Sequence, residues 1–186
     1  MYRDIKMKIR KSAVEKGLAV DATFELTSFC NLHCSFCYVC DRENKTGREQ
    51  ELGTEEWLEL FKEAVSRGLL FGVFTGGEVL TRKDFAELYT ELYDLGVKIK
   101  VFTNGTLLND SHIKMFQKRP PDSIDITLYG MSFKSYEKVC GNGGAYHKVM
   151  EAVKKLQKAG LPACQCRQRL TRCSISKAIT SEWQSM

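Results

Sequence analysis

Residues 22–38 read ATFELTSFCNLHCSFCY, and the way this stretch divides decides the fold. Its first part, Ala22-Thr23-Phe24-Glu25-Leu26, favours a short strand. Its second part passes at once into a loop bearing Cys30, Cys34 and Cys37, separated by three and then two residues. A strand that delivers reactive side chains at its C-terminal end is the arrangement of α/β proteins, which place their chemistry there. Three thiols in so tight a loop point to a [4Fe-4S] cluster with one iron left open. A closed cubane takes four thiolates, and an open coordination position is what separates a reactive metal centre from a structural one. Two other readings compete. Cys40 adds another two-residue gap, so that Cys34, Cys37 and Cys40 resemble the start of a ferredoxin run, yet residues 41–50 hold neither the Cys nor the Pro that would continue it. Structural zinc calls for a second close pair of ligands, and Cys140, Cys164, Cys166 and Cys173 form no such pair.

The strand and its loop open a repeating pattern. A helix over 55–67 is expected, with Thr54 as its cap, Trp57, Phe61, Ala64 and Val65 on one face and Gly68 as its stop. An apolar run over 69–74 has the character of a buried strand and ends in Thr75-Gly76-Gly77-Glu78. Thr81 then caps a helix whose apolar face carries Phe85, Leu88, Tyr89, Leu92 and Leu95. A third strand over 97–102 ends in Thr103-Asn104-Gly105, and Asn109 or Asp110 starts a short helix. A fourth strand over 123–128 ends in Tyr129-Gly130, and a last helix covers 145–158. Strands alternating with helices imply parallel βα units. Right-handed crossovers bring all the strand ends to one rim, so Cys30, Cys34 and Cys37, Gly76 to Glu78, Asn104 and Thr127 should converge on one site.

Composition excludes much else. The chain has 186 residues, 43% hydrophobic and 27% charged, as expected of one globular domain. Its net charge of +5 is spread along the chain without interleaved aromatics, which argues against nucleic-acid binding. No apolar run is long enough for a transmembrane helix. The eight cysteines, without an apolar leader in residues 1–21, which form a basic segment, indicate metal or redox chemistry in the cytoplasm rather than a disulfide frame. Residues 163–186 break the pattern where a fifth strand is due, and the expectation is a truncated or frame-shifted tail after a core over 22–162.

Two glycines after the second strand let backbone approach a small ligand with no Cβ in the way. With the C-x3-C-x2-C loop one βα unit earlier, Gly76-Gly77-Glu78 resembles the second signature of the radical S-adenosylmethionine (radical SAM) enzymes, although Val79 stands where a proline is usual. The resemblance covers about 23–162. It implies an α/β fold, a partial (β/α) TIM-like barrel of which about four βα units are present. It also implies that Cys30, Cys34 and Cys37 hold the cluster and that Gly76, Gly77 and Glu78 hold the amino group of S-adenosylmethionine. Phe36 would lie against the adenine, Asn104 in the loop after the third strand, and Thr127 near the carboxylate or ribose. The activity implied is reductive cleavage of S-adenosylmethionine to a 5′-deoxyadenosyl radical, with a flavodoxin or ferredoxin as electron donor. Residues 124–130 and 135–149 resemble the subgroup that carries a cysteine-rich SPASM domain, many of whose members modify peptides or proteins, so the substrate is a peptide, a protein or a small molecule. Cys164, Cys166 and Cys173 do not reproduce that domain's motif. The alternatives are an inactive cluster-binding remnant and a zinc or electron-transfer module. His33, His112 and His147 are expected to be surface histidines.

Overall fold

A computed structural model of the protein describes residues 2–37, 39 and 51–162. In chain order its elements are α1 (Tyr2–Glu15), β1 (Asp21–Thr27), α2 (Thr54–Ser66), β2 (Phe71–Gly76), α3 (Phe85–Asp94), β3 (Lys98–Thr103), α4 (Asp110–Lys118), β4 (Ser123–Ile126), α5 (Phe133–Cys140) and α6 (Ala145–Lys158). The four strands form one parallel sheet in the order β1-β2-β3-β4. The parallel sheet is what the alternation of strand and helix signals implies, and its four βα units are the partial barrel that the family resemblance implies.

Period-two alternation sends Phe24 and Leu26, Phe74, Ile99 and Val101, and Ile124 and Ile126 into the core, where each is at most 5% exposed. The amphipathic helices meet them with Trp57 and Phe61 from α2, Phe85, Leu88, Tyr89 and Leu92 from α3, Phe116 from α4 and Leu156 from α6. Aromatic rings dominate the centre: Phe24 and Phe61 lie 5.0 Å apart edge to face, Phe61 stacks on Phe74 at 5.7 Å, and Tyr89 meets Phe116 at 5.1 Å. Each buried ring contributes about 1.5–3 kcal/mol from burial and roughly 0.5–1.5 kcal/mol more per well-placed ring pair.

The register slips between Glu25 and Thr27, where β1 uses one residue more than β2. Such a bulge bends its strand, and here it aims the chain leaving β1 into the cysteine loop.

Two helix starts differ from expectation. Gly53 rather than Thr54 precedes α2, with the Glu56 carboxylate accepting the Gly53 N–H at 2.7 Å. The Thr54 hydroxyl instead donates to Asp84 at 2.8 Å. Thr81 closes a 3-10 turn over Val79–Thr81, its hydroxyl donating to the Glu78 carbonyl at 2.7 Å, and α3 starts after Asp84.

Helices α1 and α5 appear where none was expected. The first docks through charge: Lys6 pairs with Asp122 at 2.7 Å, its ammonium lies 4.3 Å from the centre of the Phe71 ring, and Arg10 pairs with Asp21. Among the described side chains of α1 only Ala13 is a buried apolar residue, so there was no apolar stripe to read. Helix α5 has eight residues and buries only Tyr136 and Cys140, too few to give a period.

After α6 the chain returns to β4, where the Ile124 N–H donates to the Pro162 carbonyl at 3.1 Å. The tail over 163–186 lies outside the described residues, as does Cys40. No helix among the described residues is long and apolar enough to cross a membrane.

Candidate functional site

The sheet face turned away from the helices, together with the loops at the strand ends, lines a cavity of about 530 Å³. Cys30, Cys34 and Cys37 open onto it, and so do Phe36, Gly76, Gly77, Asn104 and Thr127. Residues from four separate loops thus meet because parallel strands end on one rim. Among the expected site residues, Glu78 alone does not line the cavity.

The cysteine loop is held against the glycines by backbone. The Gly77 N–H donates to the Thr27 carbonyl at 2.7 Å, and the Glu78 N–H to the Phe29 carbonyl at 2.8 Å. A Cβ on Gly77 would lie 2.6 Å from the Phe29 carbonyl carbon, 2.7 Å from the Ser28 oxygen, and closer still to the Phe29 oxygen. Gly76 has a φ of +125°, and a Cβ there would strike the Thr27 carbonyl. The glycines are therefore demanded by the chain's own neighbouring loop, in addition to facing the cavity. Glu51 completes the hold on that loop, accepting from the Ser28 N–H at 2.7 Å and from the Thr27 hydroxyl at 2.9 Å.

Glu78 is fully buried and works beneath the surface. Its carboxylate accepts from the Leu80 N–H at 3.0 Å, the Thr103 hydroxyl at 2.6 Å and the Asn104 N–H at 2.6 Å. The Thr103 oxygen itself accepts from the Gly105 N–H at 3.0 Å, which leaves its proton to point at Glu78. Burial pushes the Glu78 pKa up, and the three donors offset only part of that rise. Through these bonds Glu78 fixes the loop that carries Asn104. The Asn104 amide in turn donates to the Cys30 sulfur at 3.8 Å and to Asn31 Oδ1 at 2.9 Å, while its oxygen accepts from the Thr106 N–H at 2.9 Å. Asn31 closes the ring by donating to the Thr106 hydroxyl at 2.8 Å.

The far side of the cysteine loop rests on the C-terminal end of α5. The Ser35 N–H donates to the Val139 carbonyl at 2.9 Å and the His33 N–H to the Cys140 carbonyl at 3.3 Å. The buried Cys140 thiol stands beside Cys34, and burial with that neighbour pushes its pKa up to about 12. Burial raises Cys30 as well, with the charges of Glu78 and Cys34 adding to the rise. Phe36 is 64% exposed and lies 5.8 Å, ring to ring, from Tyr129. Thr127 is half-buried, its N–H donating to the Thr103 carbonyl at 3.2 Å. His33 and His147 are exposed, but His112 is half-buried against Phe85, 5.9 Å between ring centres, and burial lowers its pKa. Asn31, Glu51, Thr106 and Asp125 escaped sequence reading, since a single polar residue in a loop or strand carries no pattern.

The donor set fits an iron-sulfur cluster. It consists of sulfur alone, it opens onto one cavity, and a backbone-anchored amide is directed at one of the sulfurs, an interaction that tunes such clusters. Among the described residues no three Cys, His, Asp or Glu side chains lie close enough to share a single metal ion. A cubane asks for a different spacing, because each thiolate binds its own iron.

Residues 24–168 match the family model of the radical SAM superfamily. The chain is similar to the PqqA peptide cyclase of Granulibacter bethesdensis, 33% identical over 138 residues, which are 74% of this chain and 36% of that protein. It is also similar to the sporulation killing factor maturation protein SkfB of Bacillus subtilis, 29% identical over 81% of this chain and 36% of that one. The fold matches the crystal structure of Streptococcus suis SuiB bound to S-adenosylmethionine with a TM-score of 0.71 at 18% identity, covering 96% of this chain and 42% of that one. The chain thus spans well under half the length of each of these proteins. With the sheet, the cysteine loop and the glycine motif in one place, the chain belongs to the radical SAM superfamily, enzymes whose cofactors are S-adenosylmethionine and an iron-sulfur cluster.

Proposed function

We propose that this chain supplies the cluster-binding and cofactor-binding part of a radical SAM enzyme that modifies a peptide or protein. The observation that carries the reading is the convergence of Cys30, Cys34 and Cys37 with Gly76, Gly77, Asn104 and Thr127 on one cavity. The two curated relatives, named as a peptide cyclase and a maturation protein, support a peptide or protein substrate over a small molecule.

Cys30, Cys34 and Cys37 would hold a [4Fe-4S] cluster and leave its fourth iron to the amino and carboxylate groups of S-adenosylmethionine. The chemistry supplied is one-electron reductive cleavage of that cofactor, with hydrogen abstraction from the substrate. The chain's own task is placement. Gly76 and Gly77 would present backbone to the cofactor's amino end, Thr127 would serve its carboxylate or ribose, and Phe36 with Tyr129, 5.8 Å apart ring to ring, would supply an aromatic wall for the adenine and exclude water. Asn104 orients Cys30, and Glu78 acts through Asn104. A flavodoxin or ferredoxin in the reducing cytoplasm would deliver the electron.

Anaerobic iron-sulfide reconstitution followed by electron paramagnetic resonance of the reduced protein tests this reading. A cluster signal that changes on adding S-adenosylmethionine is the expected result. A signal indifferent to the cofactor would reduce the chain to a cluster-binding fragment, and zinc in place of iron would overturn the reading outright.

A further inference from the structure

Asp125 is 93% buried, 7% of its surface remaining exposed, yet its Oδ1 has no hydrogen-bond partner. It lines the cavity from β4. A buried carboxylate without a partner carries a desolvation cost that native proteins seldom leave unanswered. Oδ1 itself is closed off from solvent, but the 7% of the residue that stays exposed belongs to the cavity wall, where a ligand group can meet the side chain and offset that cost.

The position of Asp125 separates it from the cofactor end. Thr127, Gly76 and Asn104 stand at or beyond the strand ends, whereas Asp125 lies two residues earlier on β4, about 6.6 Å deeper along the strand. Its neighbour across the sheet is Phe102, an apolar surface for a hydrocarbon stem. Glu25, paired with Thr75 on the β1 side, lines the same cavity. It stands on β1, three strands across the sheet from β4. No Lys or Arg lines the cavity among the described residues. Lys100, paired with Ser123 one layer below, makes no ion pair with Asp125. The described lining of the cavity therefore holds two carboxyl groups, Asp125 and Glu25, and no Lys or Arg.

We propose that Asp125 is a substrate-recognition residue that accepts a hydrogen bond from a cationic side chain, lysine or arginine, of the peptide substrate, its aliphatic stem lying along Phe102. The occupant's identity as a peptide rests on the function proposed above; the cationic chemistry rests on the cavity alone.

The test uses the full, cluster-reconstituted chain and binding rather than turnover. Nα-acetyl-lysine N-methylamide and its norleucine counterpart are titrated as probes, and S-adenosylmethionine is titrated separately. The lysine probe should bind about tenfold tighter than the norleucine probe, the worth of one charge-assisted hydrogen bond. Asp125→Asn, which keeps the shape, should bring that ratio to about one while leaving the affinity for S-adenosylmethionine within about twofold. Its melting temperature should not fall, since the variant loses an unpartnered buried charge, so a folding defect would not mimic the result. An unchanged ratio in Asp125→Asn, or loss of the ratio in Glu25→Gln instead, overturns the proposal. Loss of S-adenosylmethionine affinity in Asp125→Asn assigns the carboxylate to the cofactor and overturns it too. A preference that appears only in Lys100→Met would make Lys100 the partner of Asp125, again against the proposal. A wild-type chain that prefers lysine but shows no cofactor-dependent spectral change would sink the proposed function and leave this inference standing.

Discussion

Replacing Gly77 by alanine should separate the two halves of the site. The new Cβ would sit 2.6 Å from the Phe29 carbonyl carbon and 2.7 Å from the Ser28 oxygen, where ordinary contacts lie at 3.4–4 Å. Both neighbours are backbone, so no rotamer can relieve the clash, and the cysteine loop must retreat by about 1 Å. The two bonds that cross this contact, at 2.7 and 2.8 Å, would then stretch beyond hydrogen-bond range. Each is worth about 1 kcal/mol, and overpacking adds about 1–3 kcal/mol, so the total is about 3–5 kcal/mol. For a chain of this size that is a fall in melting temperature of roughly 6–20 °C. Gly68→Ala is the control. Its φ of +101° makes it strained, but nothing lies within 4 Å of its Cβ, and it should cost only about 1 kcal/mol. Circular dichroism melting under anaerobic conditions, with iron and sulfide per chain after reconstitution, reads both effects. A Gly77→Ala chain that melts with the wild type and takes up full iron would refute the claim that this glycine exists to admit the cysteine loop.

Alanine at Cys30, Cys34 or Cys37 should each abolish the visible absorbance of the reconstituted cluster, whereas Cys40→Ala should retain it; equal loss in all four would shift the ligand register. Glu78→Gln turns one acceptor into a donor facing donors and should destabilise the protein. Because burial raises the pKa of Glu78, the wild type holds the stability of its protonated form below the unfolded value of 4.5 and loses it as pH rises through the raised value. The gap between wild type and Glu78→Gln in urea denaturation should therefore narrow as pH rises from 4.5 through the raised value, and a widening gap would contradict the assignment. The Lys6 and Asp122 side chains are only 12% and 10% exposed, so Asp122→Ala should leave a buried cation and cost about 3 kcal/mol. Hydrogen exchange should speed up in α1 first, and uniform acceleration across the sheet would argue against a docking role.

The βα rhythm was legible because amphipathic faces and apolar runs repeat along the chain, and α6 was expected with the bounds it has. Motif spacing likewise named the thiols and glycines that meet at the cavity. The expectation stumbled where structure does not rest on a period. Helix α1 is held by Lys6 and Arg10 against Asp122 and Asp21, partners brought together only by folding. Helix α5 buries two side chains, yet its last carbonyls brace the cysteine loop. Thr81 has the chemistry of a helix cap, but its hydroxyl found the Glu78 carbonyl first.

The sequence by itself determined the alternation of elements, the parallel order of the strands and the rim on which the reactive residues gather, because these follow from local periodicity and chain connectivity. The tertiary structure alone decided what each residue faces. It turned Glu78 from the cavity into a buried clamp on Asn104, set Gly77 against the Phe29 carbonyl, and left Asp125 Oδ1 buried without a hydrogen-bond partner. Burial, hydrogen-bond partners and close contacts depend on segments 25 or more residues apart, and no pattern within one segment encodes them.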